Sequence, residues 1–369
     1  MIIFYVNPTA GSGHAQKVWR ILEPHLQKHR IPYTAISDAD PKHALSRLRS
    51  AHAHRPRALF VVGGDGTLSS AVNAVIGALN DPQTIRSLLA SVPFALIPAG
   101  SGNDIARSLS LPKDPLTLFD HTYAALQHTS PVFLDIAWHK PAAISYTSVS
   151  LATSLHGKPS SEHAVVPSSQ PSSVPRVAVG FMGMGFDGEV VYRLQGHRAE
   201  EGAPETHVEH RLFSVRRQRQ HHKKTMRRFS YTIGVLRTLT NFQPFDLTLS
   251  IDGNNHSFHQ VWMAALLNVT HFGGGMRISP NSRFDDGLWD LIVVHKISKS
   301  AFLRTFPRVF TGSHLTHPAV FHRQGQSFTF TITHQDQTVF AQQDGDLIAL
   351  PHSVDILPRA LPFLLPRTF

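Results

Sequence analysis

The stretch FVVGGDGTLSSAVNAVIGAL, from Phe60 to Leu79, joins a hydrophobic run, a glycine-rich loop and an apolar helical pattern. The hydrophobic run is unbroken, which is typical of a strand buried on both faces of a parallel sheet. After the loop, the i, i+3, i+4 spacing of an amphipathic helix recurs in Leu68, Ala71, Val72, Val75 and Ile76. The stretch predicts a strand, a tight loop and a helix, with Asp65 in the middle of the loop.

The same alternation extends over the first 131 residues. Apolar runs at Met1–Val6, Ala58–Val62 and Pro93–Gly100 predict buried strands. Between the first two runs, one face of a predicted helix carries Ala15, Val18, Trp19, Leu22 and Leu26. Alternating strands and helices predict an α/β domain with a parallel sheet over residues 1–131.

From about Val132 the pattern changes to short strand-like runs separated by turn residues. These runs predict a β-rich domain, most simply a sandwich, over residues 132–369. The strand candidates are Phe245–Gly253, Val261–Val269, Leu288–Ile297, Ser327–Thr333 and His352–Leu357. Two ranges interrupt this pattern: a Ser/Pro-rich insert at about 154–175 and a charged insert at about 197–228, followed by a helical pattern from Tyr231 to Leu239.

Composition narrows the classes of function. The chain of 369 residues has no cysteine, which excludes disulfides and cysteine-ligated metals. No signal peptide and no long apolar segment are evident, so we expect a cytoplasmic protein. The formal charge is +10, and residues 211–228 hold eight Lys or Arg without an acidic residue. Such a patch is suited to phospholipid head groups or nucleic acid, and a solvated basic face is the alternative.

Three polar loops follow predicted strands: Asn7–Gly13, Gly63–Thr67 and Pro98–Asp104. Ligands of open α/β sheets bind beyond the carboxyl ends of the strands, and glycine lets backbone N–H groups approach a phosphate closely. A phosphorylated ligand is therefore expected, although tight turns without a ligand would have similar sequences. A bare carboxylate at Asp65 repels phosphate, so its place in the loop favours a divalent cation or a transferable proton beside the phosphates.

These loops carry a resemblance to a known family. GGDGT at Gly63–Thr67, followed by PAGSGND at Pro98–Asp104, resembles the catalytic domain of the diacylglycerol kinase family, which also contains sphingosine and ceramide kinases. GGDG alone is shared with NAD kinases and phosphofructokinases. Further family-like segments follow in order at Gly180–Val191, Phe272–Val294 and Val339–Ile348. The resemblance covers nearly the whole chain apart from the two inserts.

The resemblance implies a Rossmann-like first domain, similar to NAD kinase and phosphofructokinase, and a C-terminal β-sandwich, with the last residues packing back on the first domain. MgATP would lie in the cleft between the two domains. The implied ATP-binding residues are Asn7, Gly63, Gly64, Asp65, Gly66, Thr67 and Ser101. Ser37, at the end of the predicted second strand, matches a further family position that is usually threonine.

The resemblance also implies catalytic and metal-binding residues. The family's general base is the Glu of a D-G-E motif, and Asp346 occupies that position here within QDGD. Asp65 and Asp104 would belong to a carboxylate–water–magnesium network beside ATP, although Asp104 could also cap the helix that follows it. A structural metal would bind at Asp286 and the Leu288 carbonyl, with Asp285 as a weaker candidate; an Asp-Gly turn is the alternative. Asp135 would link this metal to the active site, or would be a buried structural carboxylate.

The expected activity is phosphorylation of a lipid hydroxyl, with diacylglycerol as the first choice of acceptor. A sphingoid or ceramide-type kinase, an NAD-kinase-like enzyme and a non-catalytic lipid-binding relative are the alternatives. The basic range 211–228 would dock the enzyme on the inner face of an anionic membrane. No aromatic-interleaved basic motif supports nucleic-acid binding. A homodimer is a candidate assembly.

Overall fold

A computed structural model describes residues 1–38, 40–141, 176–201, 238–333 and 338–366, with the backbone alone at 141 and 194–201. The insert at 154–175, the basic range 211–228 and most of the predicted helix from Tyr231 lie outside the described residues. The charged insert begins within a helix, because the helix from Phe186 continues to Glu201.

The first part of the chain contains a parallel sheet with helices on both faces. Its strands lie in the order β2-β1-β3-β4. They are β1 (Ile2–Val6), β2 (Tyr33–Ser37), β3 (Leu59–Gly63) and β4 (Phe94–Pro98). The helices are α1 (Ala10–Lys28), α2 (Pro41–Ala53), α3 (Asp65–Ile76), α4 (Pro82–Leu89), α5 (Asp104–Ser108) and α6 (Pro115–His128). The predicted parallel α/β architecture is confirmed.

Burial on both faces explains why the strand sequences are continuously apolar. Alternate residues of β3 belong to different cores: Val61 packs with α2, α3 and α4, whereas Phe60 packs with α1 and α6. The predicted helix faces are also confirmed, since Trp19 and Leu22 of α1 and Leu68 and Val72 of α3 are buried.

Three helices begin with an Asp-Pro pair that combines an N-cap with a preset first turn. The carboxylates of Asp40, Asp81 and Asp114 accept hydrogen bonds from backbone N–H groups in the first turns of α2, α4 and α6. The proline that follows has no N–H to leave unsatisfied, and its fixed φ suits a helix. The starting points of these helices are thus encoded locally.

The remainder of the chain is mainly antiparallel β-structure. Its strands are β5 (Val132–Pro141), β6 (Arg176–Ala178), β7 (Phe181–Gly185), β8 (Phe245–Ile251), β9 (Asn254–Leu267), β10 (Trp289–His295), β11 (Val320–Gly325), β12 (Ser327–Ile332), β13 (Ala341–Gln343), β14 (Asp346–Ile348) and β15 (Pro351–Phe363). Among the described residues, helices α7 (Phe186–Glu201) and α8 (Lys299–Thr305), the 3₁₀ helices Phe306–Phe310 and Ser313–Thr316, and helical residues at 238–241 accompany them. The predicted β-sandwich-like second half is confirmed by these described strands.

The two halves are connected through the last strand. β15 pairs with β5 and β12 of the second half, and its end pairs in parallel with β4 at Phe363 and Phe94. The Leu364 N–H donates to the Phe94 carbonyl at 2.7 Å. The strands therefore form one 15-stranded sheet, and the carboxyl edge of its parallel part faces the loops of the second half.

Candidate active site

The loops after β3 and β4 are in direct backbone contact. A Cβ atom added to Gly100 would lie 2.4 Å from the Gly64 Cα atom, which no side chain tolerates. The loop after β1 approaches as closely: a Cβ atom at Gly11 would lie 2.3 Å from the Ala99 carbonyl oxygen, and the Gly11 φ of 57° favours glycine. These glycines therefore let three loops meet at one edge of the sheet.

Asp65 holds two of these loops together. Its carboxylate accepts hydrogen bonds from the N–H groups of Asp104, at 2.8 Å, and Ile105, at 3.0 Å, which open helix α5. Burial raises the pKa of Asp65, and the nearby Asp104 carboxylate raises it further. The carboxylate in the glycine loop thus caps a helix that begins 39 residues later, so Asp104 does not cap α5 with its own side chain.

Asp104 connects the first half of the chain to the second. Its carboxylate contacts Arg107 Nη1 at 2.6 Å and accepts a hydrogen bond from the Gly274 N–H at 3.1 Å. A Cβ atom at Gly102 would lie 3.1 Å from Asp104 Oδ2 and 3.6 Å from Asp65 Oδ2. Two carboxylates therefore converge beneath Gly102, where the loop has no side chain.

Asp346 follows a tight turn between β13 and β14. Asp344 and Gly345, the two central residues, have φ values of 48° and 93°, as in the two-residue turn preferred by hairpins. The turn packs on the glycine loop: a Cβ atom at Gly66 would lie 2.9 Å from the Asp344 carbonyl oxygen and 3.8 Å from Asp346 Oδ2. Partial desolvation raises the pKa of Asp346, and Arg176 opposes this increase. Asp346 is exposed and lines the cleft, close to the loop Gly63–Thr67.

Asp344, two residues earlier, is a second carboxylate that the motif alone did not single out. Its Oδ1 accepts the Phe181 N–H at 3.0 Å, and the Ser69 hydroxyl donates to Oδ2. Burial raises the pKa of Asp344 to about 7, with a further contribution from Asp65. Asp344 therefore spans helix α3 and strand β7 with a carboxyl group that titrates near neutral pH.

The turn is supported from behind by Gln342. Its Oε1 accepts the Gly345 N–H at 2.9 Å, and its Nε2 donates to Asp187 Oδ2 at 3.2 Å. Burial raises the pKa of Asp187 to about 6. A Cβ atom at Gly183 would lie 2.0 Å from Asp187 Oδ2, so Gly183 leaves the space that this carboxyl group fills.

These loops enclose a cleft of about 680 Å³, a size typical of small-molecule sites. Most predicted site residues line it: Asn7, Gly64, Asp65, Gly66, Thr67, Ser101, Asp104 and Asp346. Asn7 Nδ2 donates to Thr67 Oγ1 at 3.2 Å and so connects the first two loops. Gly63 is buried at the end of β3, and Ser37 is exposed at the end of β2; neither is among the lining residues. Lining residues that the sequence did not point out include Tyr5, Leu45, Phe181, His271, Phe272 and Asp344.

The predicted metal turn lies away from this cleft. Asp286 Oδ1 accepts the Leu288 N–H at 3.0 Å, whereas Asp285 is exposed beside Arg283. Asp135 is buried beneath the turn and accepts the N–H groups of Gly287 at 2.7 Å and Arg359 at 2.6 Å. The described part of the chain has no cluster of three or more His, Cys, Asp or Glu residues suited to a metal. Asp135 thus anchors the turn, and both metal binding there and a link from Asp135 to the active site stay predictions.

Across the described ranges, we find no helix with the length and apolar character needed to span a bilayer.

Comparisons with known proteins agree with this architecture. Residues 1–133 match the family "Diacylglycerol kinase catalytic domain", and residues 213–365 match "YegS C-terminal NAD kinase beta sandwich-like domain". The chain is 25% identical to a diacylglycerol kinase of Mycobacterium tuberculosis over 363 residues, which cover 98% of this chain and 94% of that protein. It is 32% identical to human sphingosine kinase 1 over 110 residues, or 30% of this chain and 27% of that protein.

A solved structure with a similar fold covers the full length of the chain. The crystal structure of a diacylglycerol kinase from Bacillus anthracis superposes with a TM-score of 0.58 at 16% identity, covering 99% of this chain and 96% of that one. Both halves of the chain thus match domains of the same proteins, in the same order. The two family matches and the names of the relatives together fit the diacylglycerol kinase catalytic-domain family and support a lipid kinase.

Proposed function

We propose that the protein transfers the γ-phosphoryl group of ATP to the hydroxyl group of diacylglycerol. The observation that carries this proposal is the meeting of two kinds of group in one cleft. Backbone loops suited to phosphates come from the parallel sheet, and the open carboxylate of Asp346 comes from the β-rich half. Phosphoryl transfer depends mainly on positioning and charge stabilisation, with a base near the acceptor hydroxyl.

The glycine loops would bind the phosphates through their backbone. Helix α3 begins at Asp65, so its first N–H groups lie beside the loop at Gly63–Thr67 and favour an anion. Asp65 and Asp104 have the oxygen donors that suit Mg²⁺, and each carboxylate keeps lone pairs beyond those used by its N–H or guanidinium donors. When bound with ATP, the magnesium ion supplies neutralisation of phosphate charge, and these two residues would hold it through retained waters.

Asp346 would act as the general base. It accepts none of the hydrogen bonds described around the turn, and its raised pKa makes the carboxylate a stronger proton acceptor than an ordinary aspartate. Gln342 and Asp187 hold the turn that carries it. An aspartate is one methylene shorter than the glutamate of the family motif, so the acceptor hydroxyl would have to approach about 1.5 Å closer.

Diacylglycerol and sphingoid lipids are the candidate acceptors. Similarity over nearly the full length to a mycobacterial diacylglycerol kinase supports diacylglycerol. Ser101 in the third loop, where bacterial family members usually have threonine, resembles the sphingosine and ceramide kinases instead. Incubation with labelled ATP and a panel of diacylglycerol, sphingosine and ceramide, followed by separation of the products, tests the choice. Preferential labelling of sphingosine or ceramide would show that the acceptor is that lipid and not diacylglycerol.

Replacement of the base tests the chemistry. We expect Asp346→Asn to lower kcat by at least a hundredfold and to leave MgATP affinity within about threefold, because the amide cannot accept the proton. Asp346→Glu restores the family residue and should stay active. Asp120→Asn on helix α6 is the matched control, since that carboxylate pairs with His25 and lies outside the cleft lining. More than a tenth of the parent activity in Asp346→Asn would exclude Asp346 as the base.

A further inference from the structure

Large apolar side chains are exposed together on one segment of the β-rich half. Leu303 of α8 and Phe306 and Phe310 of the following 3₁₀ helix are 49%, 39% and 54% exposed. They make up half of the six large hydrophobic residues that the described chain leaves exposed, within only eight positions of sequence. Single exposed apolar residues need no explanation, but a contiguous cluster indicates an interaction site.

The segment that carries this cluster is anchored on its inner side. The Phe302 ring stacks on Trp262 with centroids 4.9 Å apart. Val309 packs against the core cluster that contains Phe181. The outward rings of Phe306 and Phe310 meet edge to face at 6.1 Å. The outward side chains are therefore displayed by a packed segment whose inner residues are already used by the core.

The surroundings of the cluster are positively charged. Residues 291–335 contain no Asp or Glu, whereas Lys296, Lys299, Arg304 and Arg308 lie near the exposed rings in sequence, and all four are exposed. No salt bridge connects these four to a carboxylate within the described residues. Exposed aromatic side chains interleaved with lysine and arginine are the composition of interfacial membrane segments.

We propose that Leu303, Arg304, Phe306, Arg308 and Phe310, here named the docking face, insert into the interface of an anionic bilayer. This inference rests on the proposed function, because the acceptor of a lipid kinase resides in a membrane. The rings would enter the boundary between head groups and acyl chains, and the two arginines would contact anionic head groups.

The inner side of the docking-face segment and the wall of the cleft pack on one core cluster. Phe181 and Phe272 line the cleft and stack on each other with centroids 3.8 Å apart. Val309, on the inner side of the docking face, packs against the same core cluster as Phe272. A bilayer on the docking face would therefore lie next to the wall of the site that uses its lipid.

Vesicle sedimentation tests the surface. The triple variant Leu303→Ser, Phe306→Ser, Phe310→Ser should bind vesicles of mixed phosphatidylglycerol and phosphatidylcholine at least tenfold more weakly than the parent protein. The double variant Arg304→Gln, Arg308→Gln should have a lower affinity for these vesicles, by about fivefold per charge removed. Its affinity for vesicles of phosphatidylcholine alone should not change. Ile21→Ser is the matched control, because Ile21 is 50% exposed on α1 and lies on no such cluster.

Insertion can be observed directly with Phe310→Trp. The four natural tryptophans are at most 8% exposed, so the new indole reports from the docking face. Its emission should shift to the blue when anionic vesicles are added, and brominated acyl chains should quench it. Ile21→Trp should show neither change. Emission of Phe310→Trp that does not change when vesicles are added would reject the proposal. Emission that is already blue-shifted without vesicles would mean that another part of the chain covers this face, and would also reject the proposal.

Two further outcomes would also overturn it. Parent-like vesicle binding by the triple variant, with binding lost instead when the Lys and Arg residues of 211–228 are replaced by Gln, would assign docking to that range. If the parent protein is a dimer and the triple variant is a monomer, without a change in vesicle binding, the face is a contact between copies of the chain.

Phosphorylation of a short-chain, water-soluble diacylglycerol should be equal in parent and triple variant. If the parent protein does not phosphorylate this soluble diacylglycerol, the result contradicts the proposed function and not the docking face.

Discussion

Asp344 makes a specific prediction about how stability depends on pH. The folded protein holds this carboxyl group desolvated between Ser69 and the Phe181 N–H, with a pKa of about 7. Asp344→Asn mimics the protonated form: its amide oxygen can accept the Phe181 N–H, and its amide nitrogen can donate to the Ser69 hydroxyl. We therefore expect the variant to fold with the same contacts and to lose one titration.

The magnitude follows from the pKa difference. The pKa of Asp344 is about 7 in the folded state and about 3.9 in the unfolded chain. Protonation of Asp344 therefore contributes at most roughly 4 kcal/mol to the free energy of unfolding. Because the residue lines the water-accessible cleft, we expect about 2 to 3 kcal/mol. The folded state binds this proton more tightly, so the stability of the parent falls as the pH rises from about 4 to about 7 and then levels off.

Urea unfolding at a series of pH values between 4 and 8 measures this effect. The free energy of unfolding of Asp344→Asn relative to the parent should increase by about 2 kcal/mol or more over that range. Ser69→Ala is an informative second variant: it removes a donor that favours the ionised carboxylate, so its decline with pH should be steeper than in the parent. Parallel pH profiles for parent and Asp344→Asn would refute the raised pKa of Asp344.

Two other predictions follow from the contacts of the cleft and the metal turn. Gly100→Ala places a methyl group 2.4 Å from the Gly64 Cα atom, so the loops must separate; calorimetric titration should show at least tenfold weaker MgATP binding, and unchanged affinity would contradict the role of these loops. Asp135→Ala leaves the N–H groups of Gly287 and Arg359 without their buried acceptor, and should lower the free energy of unfolding by about 2 to 4 kcal/mol, whereas a loss below about 1 kcal/mol would show that water replaces the carboxylate.

Local patterns in the sequence were sufficient for the architecture of the first half. Strand β3 is apolar without a break because Phe60 and Val61 face different cores, and helix α3 begins directly after the glycines. In the second half, the same reasoning located the described strands β8, β10 and β12, and the second half of β9, which begins at Asn254 rather than Val261. Each of these signals depends only on the alternation of neighbouring residues and on turn-forming residues between them.

Contacts between distant segments could not be predicted in this way. The sequence pattern predicted that Asp65 lies near a cation. In the structure, its carboxylate accepts hydrogen bonds from the N–H groups of Asp104 and Ile105, at the N-terminus of α5. Ser37 ends β2 as expected, yet β2 is the outermost strand of the parallel sheet, and the cleft forms over the inner strands. The position of a strand within a sheet depends on tertiary packing that short sequence patterns do not encode.

The two carboxylates of the QDGD turn show why residue type alone cannot assign chemistry. Asp344 and Asp346 are separated by one glycine, yet the hairpin turn sends them into different environments. Asp344 is held by Ser69 and the Phe181 N–H and has a pKa of about 7. Burial therefore raises its pKa while its contacts fix it between α3 and β7. Asp346 has no such donors described around it and faces the cleft next to Gly66. A base needs a free lone pair and access to the acceptor hydroxyl, so the turn geometry agrees with the proposal that Asp346, rather than Asp344, is the base.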